Sequence, residues 1–262
     1  MHLLKLGKAL LVFLPLAAIL GISNWANILA EKMPDLSSPS DEVSNTDSVM
    51  RIDLDANEII FNPHDQTLYA TRPSRIGEMG NSLTRINPYN GEIGPSVFVG
   101  SEPSLMALSD DGQAMYVALD GAYAIRRYDV ATHTPGLQFS IGRGQSVNAS
   151  DAPFRASDIA VLPGDPNTLA VARSNPGMSP SGVGVAVFDN GVRRPLTGPG
   201  HSDGANYLAF ASPTTLYGGG HTGGLRTMTV GPVGVIDQVS MSSFAVRRLK
   251  LVGTKSFYGL GH

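Results

Sequence analysis

From Asn57 onward the apolar residues fall into short runs that recur as one unit: a run, a tight polar turn, a second run, a variable loop, a third run, a turn and a fourth. The first copy predicts strands at Glu58–Phe61, Thr67–Thr71, Ser82–Asn87 and Ser96–Val99, and the second at Leu105–Leu108, Ala114–Leu119, Ala124–Asp129 and Leu137–Ile141. A third copy reads Asp158–Leu162, Leu169–Ala172 and Gly184–Asp189, and a fourth opens with Tyr207–Phe210 and Thr215–Tyr217. Tyr69, Tyr116, Ala170, Tyr217 and Tyr258 occupy equivalent second-strand positions. A four-stranded unit repeating roughly every 40 to 50 residues has the period of a β-propeller blade, because a small twisted sheet buries both faces only by stacking between neighbours. A β-sandwich has as many strands and turns but no such matched positions. Helical periodicity is absent after the N-terminal segment. Asn90-Gly91, Asp111-Gly112 and Asn190-Gly191 mark reversals, since glycine accepts positive φ without a Cβ clash.

The first thirty residues follow a different pattern. Lys5 and Lys8 precede an apolar run from Ala9 to Ile22, with no acidic residue before Glu31. That is the layout of a secretory signal, with Ala26 and Ala30 as candidate cleavage points. The alternative is an uncleaved anchor, against which Ser23, Asn24 and Asn27 interrupt the run. Residues 31–47, rich in Ser, Pro and acids, read as a disordered linker, and 48–262 as the propeller. The expected location is secreted, periplasmic or at the cell surface. A membrane is involved only if the N-terminal segment is retained.

Composition narrows the chemistry. There are 30 glycines and 18 prolines among 262 residues, and only 16% of residues are charged, which suits short strands and many turns. A net charge of −3 offers no electrostatic footprint for nucleic acid. The complete absence of cysteine removes disulfides, thiolate-ligated metals and a thiol nucleophile. No G-x-S-x-G elbow is present, so a serine hydrolase has no starting point.

Val99-Gly100-Ser101-Glu102-Pro103, Ala107-Leu108-Ser109-Asp110-Asp111-Gly112 and Met115-Tyr116-Val117-Ala118 together resemble the YVTN-type repeat of exported bacterial propellers, with its VG-x-x-P lead, A-x-SPDG turn and YV-x-N strand. The likeness spans about Asn57 to Gly220 and is degenerate outside the second copy: Asn62-Pro63-His64-Asp65 and Leu162-Pro163-Gly164-Asp165 hold the turn position without the full motif. The resemblance implies an all-β propeller, an exported location and kinship with lactonase-like and quinoprotein-dehydrogenase-like propellers. It carries no catalytic residue onto this chain. Such relatives are usually seven-bladed, so four blades and a partial fifth imply a truncated ring. The other option is a five-bladed ring closed by a strand at Val49–Leu54.

In a meander, alternate connections fall on opposite ends of the strands. One end here carries tight turns (Asn62–Gln66, Pro88–Gly91, Ser109–Gly112, Pro163–Asn167) and the other long irregular loops (Arg72–Gly80, Gly142–Ala156, Arg173–Ser181, Thr197–Ala205, Gly218–Gly223). Long loops on a rigid scaffold are where binding concentrates. The ligand-binding candidates on that end are Arg72, Arg75, Glu102, Asp120, Arg143, Arg155, Arg173, His201 and His221, a set suited to a polar or anionic ligand. Two separate histidines without a third ligand do not specify a metal, and none is assigned. Asp53, Asp55 and Asn57 resemble the start of a calcium loop, but Glu58 and His64 stand where Gly and Glu are needed. The run Gly218–Gly224 reads as a hairpin loop, lacking the helix and Lys of a phosphate cradle. The pairs Arg126-Arg127, Arg193-Arg194 and Arg247-Arg248 lie in strand-like segments, where neighbours point to opposite faces and need not form one patch. Catalytic residues are unassigned and no cofactor is called for. The sequence therefore favours an exported, non-catalytic propeller that binds a polar small molecule or a protein through its loop-rich face. The alternatives are a lactonase-like hydrolase with its site in the central channel, or a nonfunctional fragment of one.

Overall fold

A computed structural model describes residues 50–144, 151–198, 200, 205–220, 224–241, 249–252 and 256–259, the last two stretches as backbone only. It contains four four-stranded antiparallel sheets and a two-stranded hairpin, each sheet meandering in sequence order with no crossover. Blade 1 comprises β1 (Glu58–Asn62), β2 (Thr67–Arg72), β3 (Ser82–Ile86) and β4 (Ile93–Phe98). Blade 2 comprises β5 (Pro103–Leu108), β6 (Ala114–Leu119), β7 (Ala124–Asp129) and β8 (Thr134–Ser140). Blade 3 comprises β9 (Arg155–Leu162), β10 (Asp165–Ser174), β11 (Gly182–Asp189) and β12 (Val192–Arg193). Blade 4 comprises β13 (Tyr207–Ser212), β14 (Thr215–Gly220), β15 (Gly224–Gly231) and β16 (Gly234–Ser240). The hairpin of β17 (Leu249–Val252) and β18 (Ser256–Gly259) follows. The innermost strands succeed one another as β1, β5, β9, β13 and β17, each against the next. The architecture is thus an all-β propeller array of open sheets, not a sandwich or a closed barrel.

Strand period 2 explains how the sheets stack. Along β6, Ala114, Tyr116 and Ala118 enter the core shared with blade 3, while Met115, Val117 and Leu119 enter the core shared with blade 1. Along β10, Leu169 and Val171 face blade 2, and Ala170 and Ala172 face blade 4. Both strands are buried on both faces, so they read as continuous apolar runs where an ordinary antiparallel strand alternates. The tyrosines at the repeated second-strand position add a polar tip to this packing. The Tyr69 hydroxyl donates to Asp65 at 2.6 Å, and burial, then that carboxylate, raise its pKa; the Tyr116 hydroxyl crosses to the Pro166 carbonyl of blade 3 at 2.8 Å.

Main-chain ties complete the stacking. Asn62 Nδ2 donates to the Gly112 carbonyl at 3.2 Å, the Gly164 amide to Asp110 at 2.8 Å, and Arg194 Nη1 to the Gly231 carbonyl at 2.8 Å. The Leu196 amide donates to the Val233 carbonyl at 2.7 Å, forming an isolated parallel bridge to the turn that opens β16. That bridge depends on Gly234, whose φ is +121° and where a Cβ would lie 2.0 Å from the Leu196 carbonyl oxygen. The hairpin turns follow the expected chemistry: Asn190 and Gly191 both take positive φ, +47° and +80°, as a two-residue reversal requires.

Several details differ from the sequence reading. Met50–Leu54 forms no strand; Met50 and Ile52 instead lie beside Gly91 of blade 1, so this stretch does not complete a final blade. A 3-10 segment at Ser74–Met79 occupies a loop expected to be irregular, broken by Gly77 at φ +82°. The glycine run is mostly strand, with Gly218–Gly220 in β14 and Gly224 opening β15. The reason is space: a Cβ on Gly218 would sit 2.6 Å from both Ala205 Cβ and Met228 Cε. The signal, the linker, His201, His221 and Arg247-Arg248 lie outside the described residues.

Two substitutions test this packing. Leu169→Ala empties a fully buried site between blades 2 and 3 and is expected to cost about 2–5 kcal/mol in urea unfolding. Gly234→Ala is expected to cost about 2 kcal/mol or more, because it combines a forbidden φ with a main-chain clash, whereas Val192→Ala on the exposed edge stays within about 0.5 kcal/mol.

Candidate functional site

The two ends of the strands differ in how their polar groups are used. At the tight-turn end nearly every short polar side chain folds back on its own turn. Asp65 accepts the Thr67 amide at 3.1 Å, Asn87 that of Tyr89 at 2.9 Å, Asp111 that of Gln113 at 2.9 Å, and Asp165 that of Asn167 at 3.0 Å. The Ser109 hydroxyl, then the Gln113 amide, hold the Asp111 carboxyl below its usual range, and the Thr132 amide and hydroxyl do the same for Asp129. A shallow depression of about 340 Å³ on blade 1 includes Arg85, but that guanidinium is already 2.6 Å from His133. This end is a closed set of turns.

The other end collects the sequence candidates into separate groups. Arg72 Nε donates to the Asp55 carbonyl at 3.3 Å, and Arg75 pairs with the Asp55 carboxylate at 3.8 Å, both side chains more than 60% exposed. Such an exposed pair contributes little. The Glu102 carboxylate accepts the Ser74 hydroxyl and the Ser74 amide, tying the 3-10 segment to the β4–β5 connection. Asp120 accepts the Ser104 hydroxyl at 3.0 Å, within blade 2. Arg155 lies over the Tyr123 ring, 5.5 Å from its centroid. Five of the candidates are therefore occupied in holding loops.

Arg143 and Arg173 are brought together. With Gly142, Phe154, Val183 and Arg193 they line a cavity of about 480 Å³ between blades 2 and 3. Arg173 closes its floor from the end of β10 and is only 5% exposed. Arg193 was not among the candidates. The signal for it was the Asn190-Gly191 turn, which pairs Phe188 with Arg193 and Asp189 with Val192, so that Arg193 and Arg194 leave the strand on opposite sides. Arg194 turns to Asp189, at 2.7 and 2.8 Å, while Arg193 reaches the cavity.

The innermost strands enclose a second cavity of about 590 Å³, lined by Glu58, Ile59, Phe61, Leu105, Asp158, Tyr207 and neighbours. Its two carboxylates are engaged with the next blade: Glu58 accepts the Met106 amide, and Asp158 accepts the Leu208 amide at 2.7 Å and the Ile159 amide at 2.9 Å. An innermost strand has one edge without a strand partner, and these acids satisfy amides along it. Burial pushes the Asp158 carboxyl up from 3.8 to about 6, outweighing both amides. Among the described residues no cluster of three His, Asp or Glu side chains could hold a metal ion.

No protein-family model matches the chain, and no curated protein matches it. Solved structures do. The chain is similar to Kuenenia stuttgartiensis hydrazine synthase (TM-score 0.54, 18% identity over 78% of this chain), to U3-55K (0.55, 15%, 75%) and to the β-propeller domain of Myceliophteria thermophila Cps50 (Swd1) (0.54, 13%, 76%). The fold is a β-propeller. The match spans 55–60% of the length of those three structures.

Asp158 sets a pH dependence. The folded protein binds its proton more tightly than the unfolded chain, so the protonated carboxyl favours the fold below its ordinary value of 3.8, and this contribution is lost as pH rises through about 6. In urea unfolding at pH 4 and pH 7, Asp158→Asn is expected to gain on the parent protein between the two, by at most about 3 kcal/mol. An unchanged difference would mean that Asp158 keeps its charge.

Proposed function

We propose that this chain is an exported propeller of the YVTN type that works by binding, holding a polar ligand or a protein partner on its loop-rich end. The observation that carries the reading is the contrast between the ends. One spends its polar groups on its own turns; the other presents the loops and the arginine-lined cavity between blades 2 and 3. The Ser109–Gly112 turn, where the YVTN likeness is strongest, joins β5 and β6 within that scaffold. The layout of Lys5, Lys8 and Ala9–Ile22 supports export. A propeller fold by itself does not choose between binding and catalysis, since the similar structures include one titled as a synthase. The central cavity argues for binding: its acids hold main-chain amides of neighbouring strands.

The test is photo-crosslinking in bacteria carrying the full chain, whose processed form is expected to begin near Glu31. A benzophenone amino acid at Ser101 or Pro176, exposed on the loop-rich end, is expected to give adducts with other molecules, whereas Asn90 and Ala131 on the tight-turn end give none. Adducts confined to Asn90 and Ala131, or absent from both loop positions, overturn the reading.

A further inference from the structure

We infer that the cavity between blades 2 and 3 is a binding site for a dianionic oxyanion group, a phosphate or sulfate ester, gripped by Arg173, Arg193 and Arg143. The inference rests on the loop-rich end being the binding surface and gives that surface a ligand class. Arg173 is the centre of the argument. At 5% exposed it is among the few buried charges of the protein, yet among the described residues no carboxylate pairs with it. Its bonds go to the carbonyls of Gly184 at 3.3 Å and of Ile141 and Val183 at 3.4 Å, all at the long end of the hydrogen-bonding range. Its guanidinium also stacks over Phe154 at 5.2 Å from the ring centroid. These contacts orient the planar group without neutralising it. A buried charge is ordinarily paired, because removing it from water is expensive.

The surroundings increase that demand. Arg193, exposed on the edge strand, faces the same cavity, and burial followed by this second cation pushes Arg173 down from 12.5 to about 10. Neither has an acidic partner among the described residues. Arg194, one residue on, does have one, in Asp189 at 2.7 Å, so the shortage is confined to the cavity. Arg143 at the rim pairs with Asp151 at 3.2 Å, and both are more than half exposed. Three guanidiniums against one carboxylate leave an excess of positive charge that a dianion matches, and guanidinium forks suit the oxygens of phosphate or sulfate. The volume of about 480 Å³ falls within the roughly 300–1,000 Å³ of small-molecule sites and leaves room beside the oxyanion for an organic body against Phe154 and Val183.

Calorimetric titration of the purified full chain with glucose 6-phosphate, inorganic phosphate, sulfate and glucose tests this. Glucose 6-phosphate is expected to bind at least about tenfold more tightly than glucose, and Arg173→Gln and Arg193→Gln each to weaken it about tenfold or more, since each removes a charge-assisted contact. Arg51→Gln, at an exposed position ahead of blade 1, leaves it unchanged. Glucose 6-phosphate binding falls between pH 7.5 and pH 5 as its second proton, with pKa about 6, returns, and sulfate binding does not, which separates ligand charge from protein unfolding. Arg193 lies exposed on a two-residue strand, so its variant remains informative if Arg173→Gln fails to fold. Equal affinity for glucose and its phosphate, no anion binding at about 10 mM, or an unchanged affinity in Arg193→Gln overturns the inference. Loop-end crosslinks without anion binding overturn this site alone and leave the broader reading; anion binding sensitive to Arg193 without loop-end crosslinks to any partner overturns only the broader one.

Discussion

A blade of this protein has two apolar faces and cannot bury either by itself. Every other feature follows from that constraint. Because β6 and the Leu169–Ala172 stretch of β10 are apolar at every position, alternate residues serve opposite neighbours, and blades 2 and 3 each become the wall of two cores. The arrangement leaves no blade with an independent hydrophobic centre, so stability is a property of interfaces rather than of units. It also makes the interfaces intolerant of volume changes: Gly218 has no room for a methyl group because Ala205 and Met228 already meet there.

Stacking sheets in this way creates polar obligations at their edges. The innermost strands have amides with no strand partner, and the central acids Glu58 and Asp158 meet them from the preceding blade. The cost falls on Asp158, whose charge is disfavoured by the burial that makes its bonds effective. At the outer side the Leu196 bridge to the β15–β16 turn does a similar job with main chain alone, and it requires glycine at 234. A channel lined with carboxylates thus has a structural explanation.

The loop-rich end differs in kind. Most of its charged side chains are tied to partners that shape the loops: Arg75 to Asp55, Glu102 to Ser74, Asp120 to Ser104, Arg155 to Tyr123. At the junction of blades 2 and 3 that economy breaks down, and positive charge accumulates around a cavity floored by a buried arginine. The geometry arises from three connections that have no sequence proximity: the approach to β9, the end of β10 and the short edge strand β12.

The order and content of the blades were legible in the sequence because they depend on local rules. Short apolar runs, Asx-Gly turns and a repeat long enough to form four strands specify meanders that have to stack, and the expected strands of blades 1 to 3 begin within a few residues of the observed ones, while the two-residue β12 of blade 3 was not expected. The third and fourth strands of blade 4 escaped notice because glycine obscures their pattern: Gly218–Gly224 reads as one long loop, although Gly218–Gly220 close β14 and Gly224 opens β15. The separation of long loops from tight turns was also readable, since it follows from antiparallel connectivity alone. What tertiary structure decided was which polar groups meet. Arg193 and Arg194 are identical neighbours in sequence; the Asn190-Gly191 turn separates their faces, but only packing sends one to Asp189 and the other to the cavity with Arg173. Charge compensation depends on distances between elements, and those are set only when the blades pack.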